Sequence, residues 1–318
     1  MPRPEERGRR IAVLGARSEL GRRLLERLSF DPGVERILAL DLRDPGTFSP
    51  QTTFLRFDLT HPRAEEQLAR ILERERVEAL LHLARPDDPP SNLAYFRELE
   101  LGGMKKVLRA CRGAGVPRLL LRSSTLLHWP SVRNPALLRE ESPFEDGAPE
   151  YIRIKREADA RAQAEWPGVG ILRFAPLVGS GAGGWLAKAL RAPVDLAIAG
   201  YDPLIQCLHV EDASLALERA LEEGLQGIFL VAPEGSLPLL AAYRLSGSYP
   251  IPLPYPLALA LLRGLRAVGA TALPDECLDL LRFPCVADGS RFREATGQVF
   301  RYDVRSAIAA VREGKKDA

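Results

Sequence analysis

Seven short runs rich in Ile, Val and Leu recur at residues 10–14, 36–40, 53–57, 79–83, 118–122, 170–174 and 227–231. Amphipathic stretches at 21–28, 64–74, 93–113 and 150–165 fall between them. Strands that are apolar on both faces and alternate with helices specify a parallel sheet covered on both sides, because each crossover lays a helix on the sheet. We therefore expect an α/β chain with a doubly wound parallel sheet of about seven strands. Such a sheet binds its ligand beyond the carboxyl ends of its strands. Gly15, Asp41, Asp58, Ala84 and Ser124 all fall at those ends.

The alternation stops elsewhere. Residues 178–208 and 235–318 are richer in Pro and Gly and predict a smaller lobe on the substrate side of the sheet. Residues 249–256 (YPIPLPYP) cannot be a central strand, since proline offers no N–H to a ladder. An apolar helix carrying Arg263 and Arg266 is expected to follow. The predicted division is thus a nucleotide domain of residues 1–177 and 209–234, and a substrate lobe of residues 178–208 and 235–318. No internal repeat is present.

Composition excludes several classes. A formal charge of +2 gives no reason to expect nucleic acid. Arg3, Arg7, Arg9 and Arg10 read as a solvated basic tail. No apolar run reaches the roughly 20 residues that cross a bilayer. The first strand begins almost at once, so no signal peptide is expected. Cys111, Cys207, Cys277 and Cys285 lack paired spacing for zinc or a disulfide framework, which predicts reduced thiols, no metal site and a cytoplasmic protein.

The chemistry concentrates in Ser123-Ser124 and Tyr151-x-x-x-Lys155. A tyrosine hydroxyl with a pKa near 10 is a poor base at neutral pH, and a nearby ammonium favours the phenolate. Positions four apart share one helix face, so Tyr151 and Lys155 can enter one cleft. A serine at the end of a neighbouring strand can steady a substrate oxygen. The lysines are only 105, 106, 155, 188, 315 and 316, against 44 lysines and arginines together. A lysine inside this motif is therefore less casual than an arginine would be.

The first strand runs into Gly15-Ala16-Arg17-Ser18-Glu19-Leu20-Gly21 and then a helix. Glycines allow a tight turn and let a pyrophosphate approach a helix N-terminus. Ser18 stands where the middle glycine of a G-x-x-G-x-x-G spacing would be. Asp41 ends the second strand, where a carboxylate accepts ribose hydroxyls and repels a 2′-phosphate. That favours NAD over NADP, although Arg17 and Arg43 are each placed to answer a phosphate.

Together these residues resemble the short-chain dehydrogenase/reductases, in their extended branch with NAD-dependent epimerase/dehydratase-like members. The likeness runs from Gly15–Gly21 through Asp41, Phe57-Asp58-Leu59, His82-Leu83-Ala84, Gly115-Val116-Pro117-Arg118, Ser123-Ser124 and Tyr151–Lys155. It continues in Arg173, Pro176 and Gly179 and in His209-Val210-Glu211-Asp212. The resemblance implies a Rossmann-type fold with Tyr151 as acid/base, Lys155 on the nicotinamide ribose and Ser124 on the substrate oxygen, Thr125 being the substitute. It implies NAD contacts from Gly15, Arg17, Ser18, Glu19, Leu20, Gly21, Asp41, Leu42, Asp58, Leu59, Leu83, Ala84, Arg85, Ser123, Tyr151, Lys155, Pro176 and Val178. His82 reads as a core residue, and His209 and Asp212 as the junction between lobes. A homodimer through paired helices is also implied; Leu101, Met104 and Leu108 would serve it or the core.

Four departures matter. Besides Ser18, Glu100 stands where the family often has a relay asparagine. Thr125-Leu126-Leu127-His128 lacks the acidic pair of sugar 4,6-dehydratases. Residues 204–208 lack the arginine common in nucleotide-sugar enzymes. The leading expectation is an NAD-dependent oxidoreductase acting on a secondary alcohol or ketone; residues 251–262 either leave room for an apolar substrate or, more simply, pack the lobe itself. A sugar or nucleotide-sugar epimerase and a catalytically retired nucleotide-binding regulator are the alternatives.

Overall fold

The computed structural model describes residues 8–46 and 49–314. In chain order the first half comprises β1 (Arg9–Leu14), α1 (Glu19–Ser29), β2 (Val34–Asp41), β3 (Thr52–Arg56), α2 (Ala64–Arg74), β4 (Ala79–His82), α3 (Leu93–Arg97), α4 (Gly103–Gly113), β5 (Arg118–Ser124) and α5 (Glu150–Glu165). There follow β6 (Gly170–Phe174), β7 (Leu177–Val178), α6 (Trp185–Arg191), β8 (Val194–Ile198), β9 (Leu204–Ile205), β10 (Leu208–His209) and α7 (Val210–Glu222). The last part holds β11 (Gly227–Val231), β12 (Leu237–Pro238), α8 (Leu239–Ser246), β13 (Tyr249–Leu253), α9 (Tyr255–Ala267), α10 (Ser290–Thr296) and α11 (Val304–Gly314).

Seven strands form one parallel sheet in the order β11-β6-β5-β4-β1-β2-β3. All seven expected strands are present, their ends shifted by at most two residues. Along β1 the side chains divide by parity: Ile11 and Val13 enter one core, Ala12 and Leu14 the other. The first core takes the stripe Leu20, Leu24, Leu25 and Leu28 of α1 together with α7. The second takes α2, α4 and α5. Each fully buried leucine of that stripe contributes about 1.5–3 kcal/mol relative to exposure, so α1 is held by burial more than by propensity. This is the Rossmann-type doubly wound sheet.

The segment expected as one helix, 93–113, is helical throughout, but a π turn at Glu98–Gly102 separates α3 from α4. The extra residue in that turn shifts the helix face, and π turns of this kind gather at functional sites. Glu100 lies in it, buried.

Much of the remaining chain packs as a second body around Tyr243, Leu190 and Ile308, while Phe292 of α10 and Ala187 of α6 join the first core. Its sheets have two strands each: β7 with β10, β9 with β12, and β8 with β13. The proline-rich stretch does form a strand, but one paired on a single side, and α9 with Arg263 and Arg266 follows as expected. His209 caps α7, accepting the Glu211 N–H at 3.3 Å, and stacks on Tyr302. Asp212 accepts the Arg301 and Tyr302 N–H groups, each at 2.9 Å. Both residues thus tie the sheet region to the C-terminal segment.

One expectation needs correction. Arg9 and Arg10 are not a solvated tail: they sit in β1 and pair with Asp31 and Glu35, each at 2.5 Å, while Arg3 and Arg7 lie outside the described residues. Of the two roles left open for Leu101, Met104 and Leu108, the structure gives the core: Met104 and Leu108 are fully buried there and Leu101 packs against it. Among the described residues no helix is long and apolar enough to cross a membrane.

Candidate active site

The strand order turns back at β1, which lies between β2 and β4, and a cleft of about 270 Å³ opens at the carboxyl ends there. Gly15 has φ +90°, and a Cβ on it would come within 2.4 Å of the Ala84 nitrogen. A Cβ on Gly21 would meet the Gly15 carbonyl at 2.6 Å. Only glycine permits either approach. The middle position differs: Ser18 has an ordinary φ of −57° and caps α1. Its hydroxyl accepts the Gly21 N–H at 3.1 Å and donates to the Gly15 carbonyl at 2.9 Å. The serine is therefore a working N-cap.

Asp41 faces the same cleft. Its carboxylate accepts the Arg17 N–H at 2.9 Å and the Leu42 N–H at 2.7 Å, one on each oxygen, so each oxygen keeps acceptor capacity for a further donor. Asp58 lines the cleft opposite. Burial works against its charge, but hydrogen bonds from the Thr60 N–H and hydroxyl outweigh it and hold the carboxyl below its usual range. The N–H groups of Glu19 and Leu20 lie in the first turn of α1, where no intrahelical acceptor exists. Two glycines without room for Cβ, a helix N-terminus and a preset carboxylate suit a dinucleotide.

Tyr151, Lys155 and Asp159 follow one another at i, i+4 and i+8 on α5, and all three are buried. Below Lys155 lies a network without solvent access. Lys155 Nζ is 3.3 Å from Glu100 Oε1, and Arg85 Nε donates to Glu100 Oε2 at 2.9 Å. Arg85 Nη1 also donates to Asp159 Oδ1 at 2.6 Å and to the Arg122 carbonyl at 3.0 Å. Asp159 Oδ2 accepts from the Ser123 hydroxyl at 2.7 Å and from Arg173 at 3.4 Å. Burial opposes the Glu100 charge, but Arg85 and Lys155 overcome it and hold that carboxyl below its ordinary range. Burial lowers the Lys155 pKa, offset in part by Glu100. His82, at the end of β4, is core as expected, and burial drops its pKa to about 3.

Tyr151 departs from expectation. Its ring packs edge-on against Phe96 and Trp129, both centroids 6.3 Å away. Trp129 adopts φ +59°, a strained backbone for a bulky residue, held by this same cluster. Burial raises the phenol well above 10; Cys277, whose thiol is hydrogen-bonded to it, and the charges of Asp87 and Asp88 add to the effect. The expected pull of Lys155 toward phenolate does not prevail against this burial, and the lysine's ammonium lies 3.3 Å from Glu100.

On its other side Tyr151 lines an apolar pocket of about 670 Å³, walled by Trp185, Leu262, Leu278 and Leu281 among others. A narrow gap lined by Ser123, Ser124, Pro176, Asp87, Arg122 and Trp185 lies between this pocket and the nucleotide cleft, sharing Arg122 with the cleft and Asp87 and Trp185 with the pocket.

The structure thus gathers Gly15, Ser18, Asp41, Leu42, Asp58, Leu59, Leu83, Ala84 and Arg85 around one cleft, with Arg17 and Glu19 on an adjoining groove. Several members act differently from expectation. Arg85 borders the cleft, but its guanidinium is committed to Glu100 and Asp159. The Glu19 carboxylate is turned to Arg23 at 2.9 Å and packs near Gly181, leaving its N–H to face the loop. Leu20 is a core side chain, and Val178 is buried in the second body. Ser124 closes the turn after β5, accepting the Leu126 N–H at 3.2 Å, and Thr125 is buried with no hydroxyl partner among the described residues. Sequence reasoning missed Asp159, although its spacing from Lys155 was a readable signal. It also missed Asp87, Arg122 and Cys277, which come from separate loops and strands and carried none. Among the described residues no cluster suited to a metal ion occurs.

Comparison with known proteins bears on this geometry. An uncharacterized protein of Mycobacterium tuberculosis is 30% identical over 307 residues, covering 90% of this chain and 79% of its own. A 3-diazoavenalumate denitrifying reductase of Streptomyces sp is 28% identical over 221 residues, 61% of this chain and 71% of its own. Among solved structures, the Thermus thermophilus UDP-glucose 4-epimerase complex with NAD superposes with a TM-score of 0.75 at 19% identity, over 97% of this chain and 99% of that one. The model of the NAD dependent epimerase/dehydratase family matches residues 11–232, from the first residues of β1 to just past β11. The chain belongs to that family.

Proposed function

We propose that the protein is an NAD-dependent reductase that converts an apolar ketone into a secondary alcohol, with Tyr151 as the proton donor. The observation that carries this reading is the 670 Å³ apolar pocket bordered by a buried, protonated Tyr151. At neutral pH that phenol keeps its proton, as a donor to a carbonyl oxygen must, although burial makes it a weaker acid than free tyrosine. The reduced nicotinamide supplies the hydride when it is bound. Gly15, Ser18, Gly21, Asp41 and Asp58 hold the nucleotide, the N–H groups of Glu19 and Leu20 face its phosphates, and Lys155 binds the nicotinamide ribose. Ser124 steadies the substrate oxygen in the gap between cleft and pocket. The apolar walls exclude water from the proton that Tyr151 delivers. The two-lobe division expected from the sequence, a cytoplasmic location and a homodimer belong to the same reading.

The sugar-epimerase alternative fits the walls less well. Among the described residues Lys188 is the one cation lining the pocket; it pairs with Asp88 at 2.7 Å, and Asp87 and Asp195 also line it. A diphosphate would meet more acid than base there. The Streptomyces relative, named as a reductase, points the same way.

Calorimetric titration with NAD, NADH, NADP and NADPH tests the first half of the proposal, and selective binding of the NAD pair is expected. An absorbance screen at the nicotinamide band, with apolar ketones and UDP-glucose, tests the second. Net oxidation of NADH by a ketone supports the reductase. Interconversion of a sugar without net change in nicotinamide would establish the epimerase, and failure of a folded sample to bind any of the four nucleotides would establish the retired domain.

A further inference from the structure

Among the described residues, one charged group lining the apolar pocket has no counterion. Asp195, on β8, lines it and is half-buried. Its Oδ1 accepts the N–H of its neighbour Leu196 at 2.7 Å. The other charged groups facing the pocket are matched: Asp87 pairs with Arg122, and Asp88 with Lys188. No ion pair reaches Asp195 among the described residues. The nearest polar side chain on the same wall, Tyr243, directs its hydroxyl to the Leu196 carbonyl at 3.3 Å. Burial pushes the Asp195 carboxyl above its ordinary range, as expected for a charge withdrawn from water without compensation.

A carboxylate set among leucines without a partner is unfavourable in the empty pocket and becomes favourable once a cation arrives. A neutral apolar ligand would bury that charge further. A carboxylate or phosphate would meet three acids and a single lysine that is already paired. The ligand that repairs the site is an apolar body carrying a basic nitrogen. Resting on the reading of this pocket as the substrate site, we infer that the substrate is an apolar amine and that Asp195 receives its ammonium group. The reacting carbonyl then lies at the Tyr151 end, and Asp195 sets which molecules are admitted.

The test uses dodecylamine, dodecanol and dodecanoate as probes of the whole protein, by calorimetry near neutral pH and at low salt. A charge-assisted hydrogen bond corresponds to roughly a tenfold or greater gain. The wild type is expected to bind the amine at least ~10-fold more tightly than the alcohol, and the carboxylate least tightly. Asp195→Asn should bring the amine to within ~3-fold of the alcohol without weakening alcohol binding, which also shows that the pocket is intact. Equal wild-type affinities, binding of none of the three probes, or an amine preference that survives Asp195→Asn would overturn the inference. The wild-type comparison stands even if the variant fails to fold. Neither arm needs nicotinamide or turnover. Amine binding by a protein that takes no NAD would remove the proposed reductase and leave this site. NADH oxidation without amine preference would do the reverse.

Discussion

Two buried regions of this molecule treat charge in opposite ways. Under the carboxyl ends of β4 and β5, Arg85, Arg173 and Lys155 are interleaved with Glu100 and Asp159 at 2.6–3.4 Å. Across Tyr151, the apolar pocket leaves Asp195 with a single backbone hydrogen bond. In the first region the protein itself pairs every one of these charges before any ligand arrives. The second is unfinished and takes its last partner from outside. A site that orients reactants needs the first property; a site that selects a substrate uses the second.

The comparison breaks first at Asp159. Asp159→Ala would leave Arg85 and Arg173 buried with fewer counterions, and we expect a stability loss of ~3–5 kcal/mol in urea denaturation. A loss under ~1 kcal/mol would mean that the network is not the firm element described here. Acid should attack the same region next. His82 titrates near 3 in the folded protein against an ordinary 6.5, so below 6.5 the unfolded chain gains protons first and stability falls progressively toward 3. Glu100, held below its ordinary 4.5, contributes stability above that value and loses it as pH falls further, in the same direction. The melting temperature should therefore drop between about pH 7 and 5, and His82→Gln should flatten that interval. A wild-type melting temperature that is level there would contradict the assignment. The smallest effect belongs to the phosphate loop: Ser18→Ala should cost ~1 kcal/mol through loss of the α1 cap, and Ser18→Gly only a few tenths. Equal losses would mean the hydroxyl is not the cap.

The contrast between the regions also explains what could be read beforehand. The sheet was legible because each strand repeats one local signal, an apolar run bounded by turns, and the parallel arrangement follows from the helices between them. Tyr151, Lys155, Asp41 and Gly15 were legible because their spacing is set within single elements. Ser18 looked like a defect in a glycine pattern and is a cap. Glu100 stood out as a departure, but its partnership with Lys155 depends on a π turn, which no periodicity announces. The second body was legible only at α9, because β7 and β10, or β8 and β13, are made by pairing segments far apart in the chain. Asp195 gave no signal at all: its meaning comes from what fails to lie beside it.

The central claim is that Tyr151 transfers the proton in an NAD-dependent reduction, and Tyr151→Phe tests it most directly. The substitution keeps the ring against Phe96 and Trp129 and removes only the hydroxyl. With a ketone found in the screen, NADH oxidation should fall by ~10²–10⁴-fold while calorimetric affinity for NADH stays within ~2-fold. Turnover within ~3-fold of the wild type would contradict the account and move the proton to another group.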